Sequence, residues 1–466
     1  MISKSIALKV LNLATATGAD FAEIYLEETL SNSLSLENGQ VESSTSNLSY
    51  GAGIRLLNKL QSVYGYTNDI SIKGLSALAE ALSKSFKGPR SVKVETIKKV
   101  RVKNLHPIER PLYEVSTEEK IALLKDASRI IQSHDPRIVR VQTMMMDNFK
   151  KVVIFNSNGK EFHDKRARGR MAMVALAAEN GKIESSFEGP GAQSGFEFFT
   201  RDIDYKAKAL EVAKSAIRML HADECPSGKM PVVIGNGFGG VIFHEACGHP
   251  LEATSVAKKL SVFTDKIGQQ IANPVVTAID DGTIPNAWGS GNIDDEGNPT
   301  QKNVLIKDGI LKQYLVDDFN GRRMGVKGNG ATRRQNYKYE PTSRMSNTYI
   351  DSGKSTPEEI IAATKFGLYA KSLGGGSVNP STGDFNFAVN EAYMIRDGKV
   401  AEPVKGATLI GNGADILHKI DMVGNDLLRA QGMCGSVSGS IPVDVGQPTL
   451  RVSEITVGGR GGSING

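Results

Sequence analysis

The residues with the most chemical content run from Gly239 to Pro250, as Gly-Gly-Val-Ile-Phe-His-Glu-Ala-Cys-Gly-His-Pro. Two imidazoles, His244 and His249, bracket the carboxylate of Glu245 in the order His-Glu-x-x-x-His. Neutral imidazole is a common zinc ligand, and a carboxylate beside a ligand can serve as general base toward water. In the familiar zinc-peptidase helix the two histidines are four apart and share one face. Here they are five apart, and an ideal helix sets residues at that spacing ~140° from each other. A regular helix cannot aim both at one ion. Gly248 can take dihedrals that end a helix, and Pro250 disfavours helical geometry in the residue before it. The expectation is a helix that stops at Gly248, with His249 swinging back from beyond its end. The chain has only seven histidines, so the pattern is unusual by chance. Spacing alone still balances a metal pair against two unrelated polar residues near a helix end.

A catalytic zinc ion usually takes three protein ligands and one water. Cys434 is a natural third. It lies in Gln-Gly-Met-Cys-Gly-Ser from Gln431 to Ser436, read as a flexible loop whose glycines allow close approach. A thiolate binds zinc well and loses its proton on binding. On residues alone, a ligand and an ordinary buried thiol both remain open for Cys434. Cys247 is expected to pack in the core and Cys225 to lie in a linker.

Glu252, Asp280 and Asp281 are candidates to hold the second ring nitrogen of a ligating histidine. The alternative for each is a solvated acid in a turn. Arg344 could meet an oxyanion or a peptide carbonyl, or form a salt bridge. Gly374–Gly376 and Gly383–Phe385 could wall a substrate groove or be plain turns. The glycines from Gly235 to Gly240 lack the Lys-Ser/Thr that would make them a phosphate loop.

The elements that must position these groups fall into two sets. In the first, hydrophobic spacing predicts helices over Ser5–Ala16, Asp69–Phe86, Thr117–His134 and Tyr205–Met219, with Ser71 or Asp69 as a cap. Strands are expected at Ala22–Glu27, Val139–Asp147, Lys151–Asn156 and Arg168–Glu179. Asn38-Gly39 and Asn58-Lys59 mark hairpin turns. Cys225-Pro226-Ser227-Gly228 is turn chemistry and a boundary. Beyond it, glycine-rich turns separate strand-like runs at Val304–Lys307, Ile310–Val316, Phe387–Arg396 and Leu450–Val457, with one helix expected at Thr356–Lys371. The fold class expected is α+β. An N-terminal domain of mixed α and β structure, residues 1–225, precedes a mainly β domain, residues 226–466, that carries the metal-site helix.

Bulk properties agree. A length of 466 residues suggests more than one domain, and 40% hydrophobic with 23% charged residues suits a soluble globular protein. Three cysteines do not make a disulfide framework and point to a reducing compartment. No apolar run reaches the ~18–20 residues of a membrane helix, and no signal-peptide core opens the chain. A cytoplasmic protein without membrane contact is expected. A net charge of +5 is too modest to argue for nucleic acid. Two basic runs stand out, from Lys98 to Lys103 and from Lys165 to Arg170; alternation reads the first as a strand with one solvated face.

Taken in order, the motifs resemble the TldD/PmbA family, its TldD branch in particular, nearly end to end. They include Gly18-Ala19-Asp20-Phe21-Ala22-Glu23, Gly51-Ala52-Gly53-Ile54-Arg55 and Tyr64-Gly65-Tyr66-Thr67-Asn68-Asp69. The His-Glu-x-x-x-His segment, Asp280-Asp281-Gly282-Thr283 and Asp294-Asp295-Glu296-Gly297-Asn298-Pro299 follow. Arg344-Met345-Ser346-Asn347-Thr348, Gly432-Met433-Cys434-Gly435 and Pro448-Thr449-Leu450-Arg451-Val452 complete the series. The resemblance implies a zinc metallopeptidase for unfolded peptides, with His244, His249 and Cys434 as metal ligands and Glu245 as the catalytic base. It also implies a dimer enclosing the active site, either with itself or with a PmbA-like paralogue that lacks the histidine motif. Cys247 and Pro250 depart modestly from the family's motif and remove neither a ligand nor the base. A reading of another class is a non-catalytic regulatory or scaffold protein with a structural metal.

Overall fold

Residues 21–192 build one sheet of long antiparallel strands. The computed structural model describes residues 2–379 and 382–464. Gln61–Thr67, Gln40–Asn58, Phe21–Glu37, Ile138–Asn156 and Lys160–Glu179 lie side by side in that order. The Asn38-Gly39 turn is the predicted hairpin, with both residues at positive φ. The strands outrun their predicted lengths. Val139–Asp147 and Lys151–Asn156 are one continuous strand, because pairing with two neighbours carries Asn148–Lys150 through in extended form.

Two helix pairs cover this sheet, one over each end of the strands. Lys4–Ala14 and Ile72–Ser83 bury Val10, Leu11, Leu75 and Ala79 against Ile24, Ile54 and Phe155. Thr117–Gln132 and Tyr205–Leu220 bury Leu124, Ala127, Val212 and Ala216 against Val141, Met171 and Met173. Ser71 caps its helix by accepting from Gly74 N, and Ser116 does the same for Glu119 N.

Two further sheets follow. In one, Phe366–Val378, Gly228–Ile234, Leu450–Gly458, Thr408–Asn412 and Asp384–Arg396 pair in turn. The first and last of these also pair with each other, closing a barrel. The other sheet runs Ile310–Leu311, Lys302–Lys307, Ala278–Asp281, Asn347–Ile350, Gly439–Gln447 and Leu428–Ser436. One core of buried side chains joins both, including Ile234, Phe243, Leu315, Leu409 and Val452. The α+β class holds, with strand predominating.

Four expectations need correction. The helix predicted over Thr356–Lys371 covers only Pro357–Ala362; from Phe366 the chain is a strand, since antiparallel pairing with Asp384–Arg396 and parallel pairing with Gly228–Ile234 outweigh local helix preference. Ile310–Val316 is strand only at Ile310–Leu311, and the basic run from Lys98 pairs only at Lys98–Lys99. The glycine-flanked segment around Cys434 is no loop. It is the edge strand Leu428–Ser436, held in hairpin register with Gly439–Gln447.

A buried ion network ties the long sheet to the second half of the chain. Arg55 meets Glu23 at 3.2 Å and Glu296 at 2.6 Å, and Arg334 meets Glu23 at 2.6 Å. Arg166 meets Asp295 at 2.7 Å, and Arg168 donates to the carbonyls of Trp288 and Ser290. Trp288 in turn donates its indole N–H to Gly432 O, two residues from Cys434. Arg55, Arg166 and Arg334 are tolerated at this depth because each meets a carboxylate, and Arg168 because two carbonyls accept from it.

Candidate metal centre

The backbone of the His-Glu-x-x-x-His segment solves the spacing problem differently from the expected helix end. Gly248 and His249 keep right-handed helical dihedrals, with His249 at φ −58°, ψ −43°. His244–Gly248 is a π-helical turn, and His249 N donates to His244 O five residues back. An i→i+5 bond widens the turn, so residues five apart come onto one face. Pro250, lacking an N–H, then begins a short 3₁₀ turn, His249–Leu251. The predicted kink beyond Gly248 is therefore replaced by a wider turn that runs through His249.

Tight packing sets the position of this turn. Gly240, just before Val241–Phe243, lies against the backbone of Gly446; a Cβ there would come 2.4 Å from Gly446 O. This close approach seats the helical segment on the strand that pairs with the one bearing Cys434. At Gly248 a Cβ would meet Met345 Sδ at 2.2 Å.

The outcome is convergence. Donor atoms of His244, His249 and Cys434 lie within 4.8 Å of one another, and among the described residues this group has three members. Cys434 Sγ is 3.3 Å from His249 Nε2. The two imidazoles stand edge-to-face, 5.2 Å between centroids. His244 and Cys434 are buried, at 1% and 2% exposure, and neither ring nitrogen of His244 has a hydrogen-bond partner. An imidazole buried with both nitrogens unpaired is costly unless something else engages it. Burial pushes the Cys434 thiol up, but the imidazoles of His244 and His249 outweigh it and bring it down to about 4. Two imidazoles and a thiolate are the donor types that zinc takes, so these residues fit a zinc ion.

Glu245 faces the same space, with Oε2 3.7 Å from His249 Nε2 and a side chain 30% exposed. Glu252 Oε1 lies 3.2 Å from His249 Nδ1. Of the three acids considered for that position, only Glu252 reaches a histidine of the group. Asp280 is taken by Ser346 and Thr348, and Asp281 by Thr283. Arg344 is fully buried, donates to Cys434 O at 2.6 Å and lies 4.0 Å from Glu252. Ser438, which accepts from Arg344, carried no signal in the sequence. Gly374–Gly376 and Gly383–Phe385 belong to the barrel strands or the turn between them. Cys247 is a core thiol; Cys225 is also buried in the core rather than exposed in a linker. A cavity of about 450 Å³ lined by Trp288, Arg429, Gln431 and Asp444 contains none of the four site residues.

Comparison with known proteins gives the chain a family. Domain models described as PmbA/TldA metallopeptidase domain 1, central domain and C-terminal domain match residues 22–86, 110–220 and 227–459. A protein named metalloprotease TldD homolog from Haemophilus influenzae is 39% identical, covering 98% of this chain and 97% of its own. A metalloprotease of Methanocaldococcus jannaschii is 33% identical, over 93% of this chain and 96% of its own. Among solved structures, TldE from Thermococcus kodakarensis superposes with a TM-score of 0.76 at 16% identity, covering 97% of this chain and 99% of its own. A Thermotoga maritima protein described as a candidate modulator of a DNA gyrase gives 0.78 at 23% identity, covering 97% and 99%. The last two likenesses concern the fold alone. By sequence across nearly its whole length, the chain belongs to the PmbA/TldD family of metallopeptidases.

Proposed function

We propose that this metallopeptidase is zinc-dependent, that His244, His249 and Cys434 hold the ion, and that Glu245 is its general base. The observation that carries the reading is the group of three convergent donors among the described residues, with a partly exposed carboxylate beside it. Three protein ligands leave a coordination position for water or substrate, as catalytic zinc requires, whereas structural zinc is closed by four. When bound, zinc supplies Lewis acidity toward a carbonyl and toward water. Glu245 takes a proton from the attacking water and passes it to the departing amine. Glu252 orients the imidazole of His249 through Nδ1.

The proposed substrate is unfolded peptide, cut in a site enclosed between two subunits. The partner is a second copy or a motif-lacking PmbA-like paralogue; the shared fold of TldE suits a partner of the same architecture. No helix among the described residues is long and apolar enough to cross a membrane, which is compatible with the proposed cytoplasmic location. Incubating the zinc-loaded protein with one polypeptide in folded and in unfolded form tests the reading. Cleavage of the unfolded form alone is expected. A protein that binds zinc and cuts neither is a scaffold with a structural metal.

A further inference from the structure

Arg344 has an unusual set of partners for a buried charge. Its side chain is wholly buried. One guanidinium nitrogen donates to Ser438 Oγ and Gly439 O, both at 2.9 Å, and another to Cys434 O at 2.6 Å. All three acceptors sit on the hairpin that carries Cys434, close to its turn. On its other side, Nε lies 4.0 Å from Glu252 Oε1, the oxygen that faces His249 Nδ1. The contacts close a ring, electrostatic from His249 to Glu252 and from Glu252 to Arg344, and hydrogen-bonded from Arg344 to Cys434 O and from Cys434 Sγ to His249 Nε2.

We propose that Arg344 is a positioning residue that holds Cys434 and His249, borne on separate elements, at the spacing one zinc ion needs. The inference rests on the zinc reading above. The hairpin needs such a grip. Cys434 is two residues from its strand's end, and Val437 at the tip is 78% exposed. Gln335 also contacts this turn, through Ser438 O and Ser440 N, but reaches neither Cys434 nor Glu252. The task calls for arginine. A planar fork can bond several fixed acceptors and face a carboxylate at once, whereas the three donors of lysine radiate from one atom.

The test compares wild type, Arg344→Lys and Ser438→Ala, each prepared metal-free and titrated with zinc and with cobalt(II). Outer partners of metal ligands typically contribute about 10–100-fold in metal affinity. Arg344→Lys is expected to weaken zinc binding by that order. It should also reduce the thiolate-to-cobalt charge-transfer band at saturating cobalt, which a purely structural role would leave alone. Ser438→Ala should shift both readouts the same way by less. Wild-type affinity and band in Arg344→Lys overturn the proposal. If Arg344→Lys does not fold, Ser438→Ala decides, and wild-type behaviour there overturns it. If wild type takes up no zinc, or Cys434→Ala binds it equally well, the metal reading falls and the clamp falls with it. Zinc lost by Cys434→Ala but not by Arg344→Lys refutes the clamp alone.

Discussion

Oε1 of Glu252 lies 3.2 Å from Nδ1 of His249, while Nε2 of the same ring points to the sulfur of Cys434 at 3.3 Å. One nitrogen thus faces a buried carboxylate at ion-pair distance and the other faces the thiol of the donor group. A carboxylate beside Nδ1 favours a proton there and leaves Nε2 for a metal. Glu252→Gln keeps the shape but removes the charge, and is expected to weaken zinc binding by about 10–100-fold. Competition with a chromophoric chelator measures this; an unchanged dissociation constant would contradict the assigned role.

Glu245 lies beside the donor group without belonging to it. Its replacement by Gln should therefore leave one zinc per chain while kcat/KM on an unfolded peptide falls by about 10²–10⁴-fold, the usual contribution of a general base. Zinc content and cleavage rate on the same preparation separate the two effects. Loss of metal along with activity would make Glu245 a ligand instead.

The π-turn has its own test. A Cβ at Gly248 would collide with Met345 Sδ, and Met345 is fully buried in the surrounding core. Gly248→Ala is expected to cost about 1–3 kcal/mol, the range of overpacking in a dense core, and to lower zinc occupancy by distorting the turn. Met345→Ala in the same chain makes space and should restore part of both. Additive losses in the double variant, read from urea unfolding, would count against this account.

How far the sequence alone revealed this structure depends on the range of the interaction. Ser71 and Ser116 announced helix starts because a cap acts within three residues. Asn38-Gly39 announced a hairpin because the turn's backbone demands are local. Phe366–Lys371 was unreadable as strand because both its partners are tertiary: Asp384–Arg396 in antiparallel register and, more than a hundred residues away, Gly228–Ile234. The Cys434 segment looked like a loop for another reason: glycines at 432 and 435 obscure the strand pattern, although the hairpin partner that makes it a strand follows directly at Gly439–Gln447. Donor types and Glu245 were legible at 244–249, but the π-turn was not, because an ideal helical period is the only one that spacing arithmetic assumes. The grip of Arg344 on Ser438 and Gly439 is tertiary throughout.

Cys434 also gives a pH prediction. Burial raises its thiol and the two imidazoles more than offset this, bringing it to about 4 in the metal-free fold. An unfolded thiol titrates near ~8.5. The folded pKa is the lower one, so this ionisation stabilises the metal-free fold fully above the unfolded value. That stabilisation is lost as pH falls toward the folded one. Cys225 is raised to about 11, by burial and then by Glu224, and burial raises Cys247 too, so neither forms thiolate near neutrality. The thiolate ultraviolet absorbance of metal-free wild type, minus that of Cys434→Ser, should titrate with a midpoint near 4. A midpoint in the ordinary thiol range would contradict the electrostatic reading.

X-ray absorption at the zinc edge of the loaded wild-type protein tests the central claim most directly. The account predicts one sulfur scatterer at ~2.3 Å and two imidazoles among the nitrogen and oxygen scatterers at ~2.0–2.1 Å, with the sulfur absent from Cys434→Ser. A zinc shell without sulfur, or one that keeps its sulfur in that variant, would contradict it.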